Sequence, residues 1–97
     1  MAVTVLLELQ VKEDQIDTML ETLKAILPDT RAYDGCVGVD VVQNQDEPAN
    51  IILIEKWESK PHYEKYLAWR TETGFIEKMG AVLSAPPSIR YFDPRDA

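Results

Sequence analysis

The sequence predicts an α+β domain with the element order β-α-β-β-α-α-β. Three observations carry that reading. Tracts rich in β-branched and apolar residues open and close the chain, VTVLLELQV at residues 3–11 and SIRYF at residues 88–92. Two further tracts of that kind, VGVDVVQ and IILIEKW, are separated only by the turn-forming stretch NQDEPAN. On either side of this central pair, apolar residues recur at helical spacings of three and four.

The first strand covers residues 3–11, with polar residues only at Thr4, Glu8 and Gln10. A helix follows, because Ile16, Met19, Leu20, Leu23, Ile26 and Leu27 share one face while Asp14, Asp17, Glu21 and Lys24 take the other. Acidic residues near its start suit the positive end of the helix dipole. Pro28 lacks an N–H and crowds the preceding turn, so it is expected to kink or stop this helix, with residues 29–32 adding a turn, and Asp34-Gly35 closing the segment. The second strand spans residues 37–43 and the third residues 51–57. Ser59 is a natural N-cap for the next helix, with Pro61 in its first turn, where proline is tolerated. That helix carries Tyr63, Tyr66, Leu67 and Arg70 and stops near Gly74. Phe75, Ile76, Met79, Val82 and Leu83 mark a third helical face, ended by Ala85-Pro86-Pro87 before the last strand. This is the split βαβ, ferredoxin-like arrangement: a four-stranded antiparallel sheet whose crossovers are right-handed, so the helices lie on one face. The whole chain, residues 1–97, reads as one domain with its core at about 3–93.

Strand periodicity also speaks to assembly. Val5, Leu7, Leu9 and Val11 share a face of the first strand, while Leu6 adds apolar character to the other. Ile51, Leu53 and Trp57 share a face of the third, while Ile52 and Ile54 point the opposite way. Both sheet faces therefore carry apolar side chains, and helices cover only one. At about 25 cal/mol per Å² of apolar area, a wet sheet face is a heavy cost for a small domain. The expectation is a homodimer joined through the open sheet face, a dimeric α+β barrel.

Bulk properties narrow the partners. A net charge of −7 makes nucleic acid and anionic membrane surfaces poor partners. No apolar run is long enough to span a membrane, and the N-terminal residues do not read as a signal peptide. One cysteine, Cys36, allows no internal disulfide, so a cytoplasmic setting is expected. One cysteine and one histidine, His62, exclude zinc sites of the usual Cys/His type within one subunit.

Several tracts together resemble one family. They are Gly35-Cys36 before the second strand, Ile54-Glu55-Lys56-Trp57-Glu58-Ser59 at the end of the third, Tyr63 and Tyr66-Leu67 on the following helix, and Pro86-Pro87-Ser88-Ile89-Arg90-Tyr91 near the end. In this order and spacing they resemble the antibiotic-biosynthesis monooxygenase family, over roughly residues 3 to 93. The resemblance implies a dimeric α+β barrel. It also implies, for the better-known members, oxygenation of phenolic polycyclic compounds or quinols without a metal, flavin or haem cofactor. Other members degrade haem or process small signalling molecules, so the fold alone does not fix the reaction.

Cofactor-free oxygenation needs an electron-rich phenol, an apolar slot, donors for a developing oxyanion and exclusion of water. Five of the eight aromatics fall in one stretch: Trp57, Tyr63, Tyr66, Trp69 and Phe75. By resemblance, Trp57 matches a tryptophan whose indole N–H donates to a substrate oxygen; the plainer reading is a core tryptophan between sheet and helix. Tyr63 matches a tyrosine beside the substrate in phenol-oxidising members, where it orients a phenol or acts as an acid; otherwise it is a core residue of its helix. These two are the catalytic candidates. Tyr66, Leu53 and Leu7 are candidate substrate contacts. Tyr66 stands where many members carry histidine, Leu7 where haem-degrading members carry asparagine, and Leu53 where phenol-oxidising members carry asparagine. The first two departures argue against haem degradation, and the third removes an amide that would stabilise an intermediate. Arg90 is the remaining candidate contact. It is expected on a strand neighbouring that of Glu55, either paired with that carboxylate or reaching the ligand. His62, at the first turn of its helix, is expected at the surface, although its chemistry suits a base. No metal ligand set is expected, and Asp46-Glu47 reads as a solvated turn. The competing function is a dimer that binds a small hydrophobic ligand without chemistry, and an isomerase or lyase acting on a small carbonyl compound is a third.

Overall fold

The computed structural model describes residues 2–97. Its elements are β1 (Val3–Gln10), α1 (Ile16–Arg31), β2 (Cys36–Gln43), β3 (Asn50–Trp57), α2 (Lys60–Glu72), α3 (Phe75–Ala81) and β4 (Ser88–Phe92), with a short 3-10 turn at Glu13–Gln15 leading into α1. The strands form one antiparallel sheet in the order β2-β3-β1-β4, the expected ferredoxin-like α+β fold.

Alternation along β1 divides the sheet into two faces. Val3, Val5, Leu7 and Leu9 are buried on the helix side, while the residues between them are half-buried on the other. Pairing aligns Val41, Leu53, Leu7 and Ile89 in one row across the sheet, and Val39, Glu55, Val5 and Tyr91 in the next. α1 lays Met19, Leu23 and Leu27 against Leu7, Leu9, Ile51 and Leu53 to form the main core. Each such buried side chain contributes about 1.5–3 kcal/mol. A second, aromatic core gathers Val3, Val5, Trp57, Tyr63 and Tyr66 beneath α2.

The helix continues past Pro28 by about the expected turn. It runs on to Arg31, and the Ala32 N–H donates to the Pro28 carbonyl at 3.2 Å. Pro28 and Lys24 are both exposed, so the ring lies on the solvent side, where a helix can tilt a carbonyl outward at little cost. β1 also ends one residue before the expected Val11, which instead forms an isolated bridge to Leu83. Around that bridge the Lys12 N–H donates to the Val82 carbonyl at 2.9 Å and the Ser84 N–H to the Gln10 carbonyl at 2.8 Å. These bonds fasten the end of α3 to the end of β1.

Turn chemistry follows the residues. The Asn44 side-chain oxygen accepts from the backbone N–H groups of Asp46 (2.9 Å) and Glu47 (3.2 Å), an Asx turn between β2 and β3. Ser59 caps α2 by accepting from the His62 N–H at 3.3 Å. α2 and α3 are separated by Gly74, whose φ of 79° is open to glycine at no steric cost.

The placement of Arg90 corrects one expectation. β1 lies between β3 and β4, so Glu55 and Arg90 are not on neighbouring strands. The first strand of a split βαβ fold is inserted into the centre of the sheet, which separates the third strand from the last. Arg90 pairs in register with Leu6 on the helix-free face and makes an ion pair with Glu8 at 3.3 Å. Leu6, Ile52 and Ile54 are half-buried on that face, and Val42 and Phe92 are exposed on it.

Candidate functional site

A cavity of about 140 Å³ lies between the β1–β4 side of the sheet and the two helices α2 and α3. Leu7 and Ile89, register partners, form its floor. Tyr63, Leu67 and Thr71 line it from α2, Ile76 and Met79 from α3, and Pro87 from the segment before β4. The α2 contribution is a stripe at spacings of four, which a helix places on one face.

Two of the lining residues carry hydroxyls, Thr71 and Tyr63. The Thr71 hydroxyl is occupied, donating to the Leu67 carbonyl at 2.8 Å. Tyr63 is 1% exposed, and its hydroxyl has no hydrogen-bond partner among the described residues. Burial pushes the Tyr63 phenol well above its ordinary range, reinforced by the nearby Glu55 carboxyl and by Tyr91 and Tyr66. Tyr63 therefore stays protonated at neutral pH, a state in which a phenol can donate a hydrogen bond.

Trp57 stands behind Tyr63. Their ring centroids are 5.5 Å apart at an interplanar angle of 70°, an edge-to-face contact. Trp57 is fully buried and does not line the cavity. Its indole N–H donates to the Glu55 carboxyl at 3.0 Å. Glu55 is 2% exposed and has no cation partner among the described residues. Burial raises its carboxyl to about 7, with the indole hydrogen bond pulling the other way.

Tyr66 belongs to a separate buried network. Its hydroxyl shares a 2.7 Å hydrogen bond with Thr30 Oγ1 and accepts from Arg70 Nε at 2.9 Å. Arg70 also donates to Thr30 Oγ1 at 3.0 Å and to the Ile26 carbonyl at 3.1 Å, and its guanidinium lies 4.5 Å from the Trp69 ring centroid. The network ties the last turns of α1 to α2.

Of the residues singled out from sequence, the cavity brings together Tyr63 and Leu7. Trp57 and Tyr66 pack against Tyr63 from behind. Leu53 lies in the main core, and Arg90 is on the opposite face of the sheet. Leu67, Thr71, Ile89 and Pro87 were not expected in the site; the stripe 63-67-71 was the available signal for two of them. Met79 also borders a second hollow, a groove of about 280 Å³ between α1 and α3 lined by Met19, Ile26 and Phe75. A larger hollow of about 480 Å³ beside Glu13, Asp14 and Asp17 holds none of the candidate residues.

Together these features define a ferredoxin-like α+β protein with a small apolar cavity between sheet and helices, one tyrosine lining it and an aromatic cluster behind. A family model described as antibiotic biosynthesis monooxygenase matches residues 2–77, and the chain belongs to that family. Its fold is similar to the structure of Rv0793 from Mycobacterium tuberculosis, with a TM-score of 0.87 and 22% identity over 100% of this chain and 98% of that one. A conserved protein from Methanosarcina mazei Go1 superposes with a TM-score of 0.87 at 17% identity, covering 97% of this chain and 93% of the other. The crystal structure of an antibiotic biosynthesis monooxygenase gives 0.86 at 19% identity, covering 97% and 99%. No curated protein matches the chain significantly. Among the described residues, no helix is long and apolar enough to cross a membrane.

Proposed function

We propose that this protein is a monooxygenase that oxidises a single-ring phenol or quinol with dioxygen, using no metal, flavin or haem. The observation that supports the reading is a buried tyrosine, Tyr63, lining an otherwise apolar cavity. A dry slot with one neutral donor orients a phenol by its oxygen and leaves the ring against apolar walls. Oxygenation at a free ring carbon converts a phenol into a quinone, or a quinol into a hydroxyquinone: one oxygen atom stays on the ring, and the other leaves as water with two hydrogens of the substrate. Electrons come from the substrate itself, so the protein's part is to orient the ring, donate to its oxygen and exclude bulk water.

Size narrows the substrate class. An apolar cavity of about 150 Å³ takes benzene, and this one, at about 140 Å³, accommodates one ring rather than a fused system. We also propose that the protein is a homodimer joined through the helix-free sheet face, which would cover Leu6, Ile54, Val42 and Phe92.

A second reading is a ligand-binding dimer without chemistry. It is favoured by one observation: the Trp57 N–H is engaged by Glu55, so a single side-chain donor faces the ligand.

Oxygen uptake by chelator-treated protein tests the proposal. Substituted single-ring quinols and hydroxylated anthrones would be compared with no-protein controls, for wild type and Tyr63→Phe. Uptake above control with single-ring quinols, falling about tenfold or more in Tyr63→Phe, is expected; that loss corresponds to about 1.4 kcal/mol of barrier. Ligand binding without protein-dependent uptake would select the second reading.

A further inference from the structure

We propose that Asp34, Glu58 and His62 form a surface site for one divalent ion of the zinc class, outside the cavity and independent of its chemistry. One donor atom from each of the three residues lies within 4.8 Å of the other two. His62 Nε2 and Glu58 Oε2 are 4.0 Å apart. Donors bound to one zinc-sized ion at about 2.1 Å stand about 3.4 Å apart, so a modest rotation of the exposed Asp34 and Glu58 side chains closes the set.

The histidine is already oriented for this task. Its Nδ1 lies 2.6 Å from Ser59 Oγ, which leaves Nε2 to face the carboxylates. Fixing one imidazole nitrogen through a hydrogen bond is how proteins commonly set the ligating one. The ring also packs onto the backbone of Gly35, where a Cβ would clash with its carbon atoms. The same Gly35 carbonyl accepts from the Glu58 N–H at 2.8 Å, so the segment beginning β2, the end of β3 and the first turn of α2 meet at one point. Two carboxylates and a neutral imidazole give a charge of about −2, which a divalent ion neutralises, and the open side leaves room for water. Lys65 lines a shallow hollow with Asp34, Pro61 and His62, and its long flexible stem lets the ammonium move into solvent. A mixed nitrogen and oxygen set favours zinc, cobalt or nickel over magnesium, which prefers oxygen alone.

His62 is the sole histidine, so its imidazole signals need no assignment. The experiment is an imidazole nitrogen–proton correlation spectrum of chain free of any polyhistidine tag, titrated with zinc chloride and separately with magnesium chloride. Zinc is expected to saturate at one equivalent, to shift Nε2 as a metal-bound nitrogen and to leave the proton on Nδ1; magnesium is expected to do neither. Calorimetric affinity for zinc should fall at least tenfold in Asp34→Asn and in Glu58→Gln and vanish in His62→Gln. All three positions lie at or near the surface, and a wild-type circular dichroism spectrum would confirm that each variant folds. An unshifted Nε2 in tenfold excess zinc would overturn the proposal. So would one-equivalent binding that persists in His62→Gln, or affinities unchanged in both carboxylate variants.

Discussion

Replacing Glu55 by glutamine probes the least favourable charge in the interior. The carboxyl is 2% exposed, sits in register between Val39 and Val5, and has the Trp57 N–H as its one side-chain hydrogen-bond partner among the described residues. Burial raises it from 4.5 to about 7. Between these pH values the folded chain holds a proton that the unfolded chain has released. The contribution of Glu55 to stability is therefore greatest below about 4.5, falls as pH rises, and levels off above about 7. At about 1.4 kcal/mol per pH unit, the interval amounts to about 3 kcal/mol. Glutamine keeps an oxygen to accept from the indole and cannot ionise. Its amide NH₂ adds a desolvation cost, but one that does not change with pH. The readout is thus the difference between wild type and Glu55→Gln in urea unfolding, measured from pH 4.5 to 8.5 at fixed protein concentration. That difference should move by about 3 kcal/mol in favour of the variant as pH rises, or more than about 10 °C in Tm for a domain of this size. A difference that stays constant within about 0.5 kcal/mol would refute the reasoning and place the ionised carboxylate in contact with water.

Other perturbations test other parts of the structure. Tyr66→Phe removes a hydroxyl shared by Thr30 and Arg70, and should cost about 1–3 kcal/mol in denaturant unfolding without altering ligand binding. Gly35→Ala forces a side chain onto a φ of 90° against the His62 ring, so a loss of about 1–3 kcal/mol is expected by the same assay. Met79→Ala removes the partition between the cavity and the α1–α3 groove. It should destabilise by about 2–5 kcal/mol, yet admit fused-ring ligands that the wild type excludes, as read by ligand-induced shifts in Tm.

The fold was legible because periodicity and punctuation agree along most of the chain. Alternation in residues 3–11, the NQDEPAN turn and Ser59 each matched a physical requirement that the structure then meets. At Pro28 the choice between a kink and a stop stayed open, because local propensity says nothing about which side of a helix faces water. Leu7 and Tyr63, singled out by resemblance, both line the cavity, but the cavity also depends on how α2 and α3 meet, and no local pattern encodes that angle. The Glu55–Trp57 bond was open to inference, since residues two apart on a strand share a face. Glu55 was instead assigned to Arg90, a pairing that the insertion of β1 between their strands forbids. Asp34, Glu58 and His62 come from three segments, and only the tertiary meeting at Gly35 brings them together.

The bonds joining Lys12 to Val82 and Ser84 to Gln10 bear on how anything enters the cavity. α3 is anchored at both ends: Gly74, itself hydrogen-bonded to Thr71 and Lys78, joins it to α2, and these bonds join it to β1. β1 supplies both this anchor and, through Leu7, the cavity floor. A molecule too wide for the resting space would have to swing α3 outward against two backbone hydrogen bonds. The strand that forms the floor thus also anchors one wall, so a change at its end is expected to alter which molecules fit without touching a wall of the chamber.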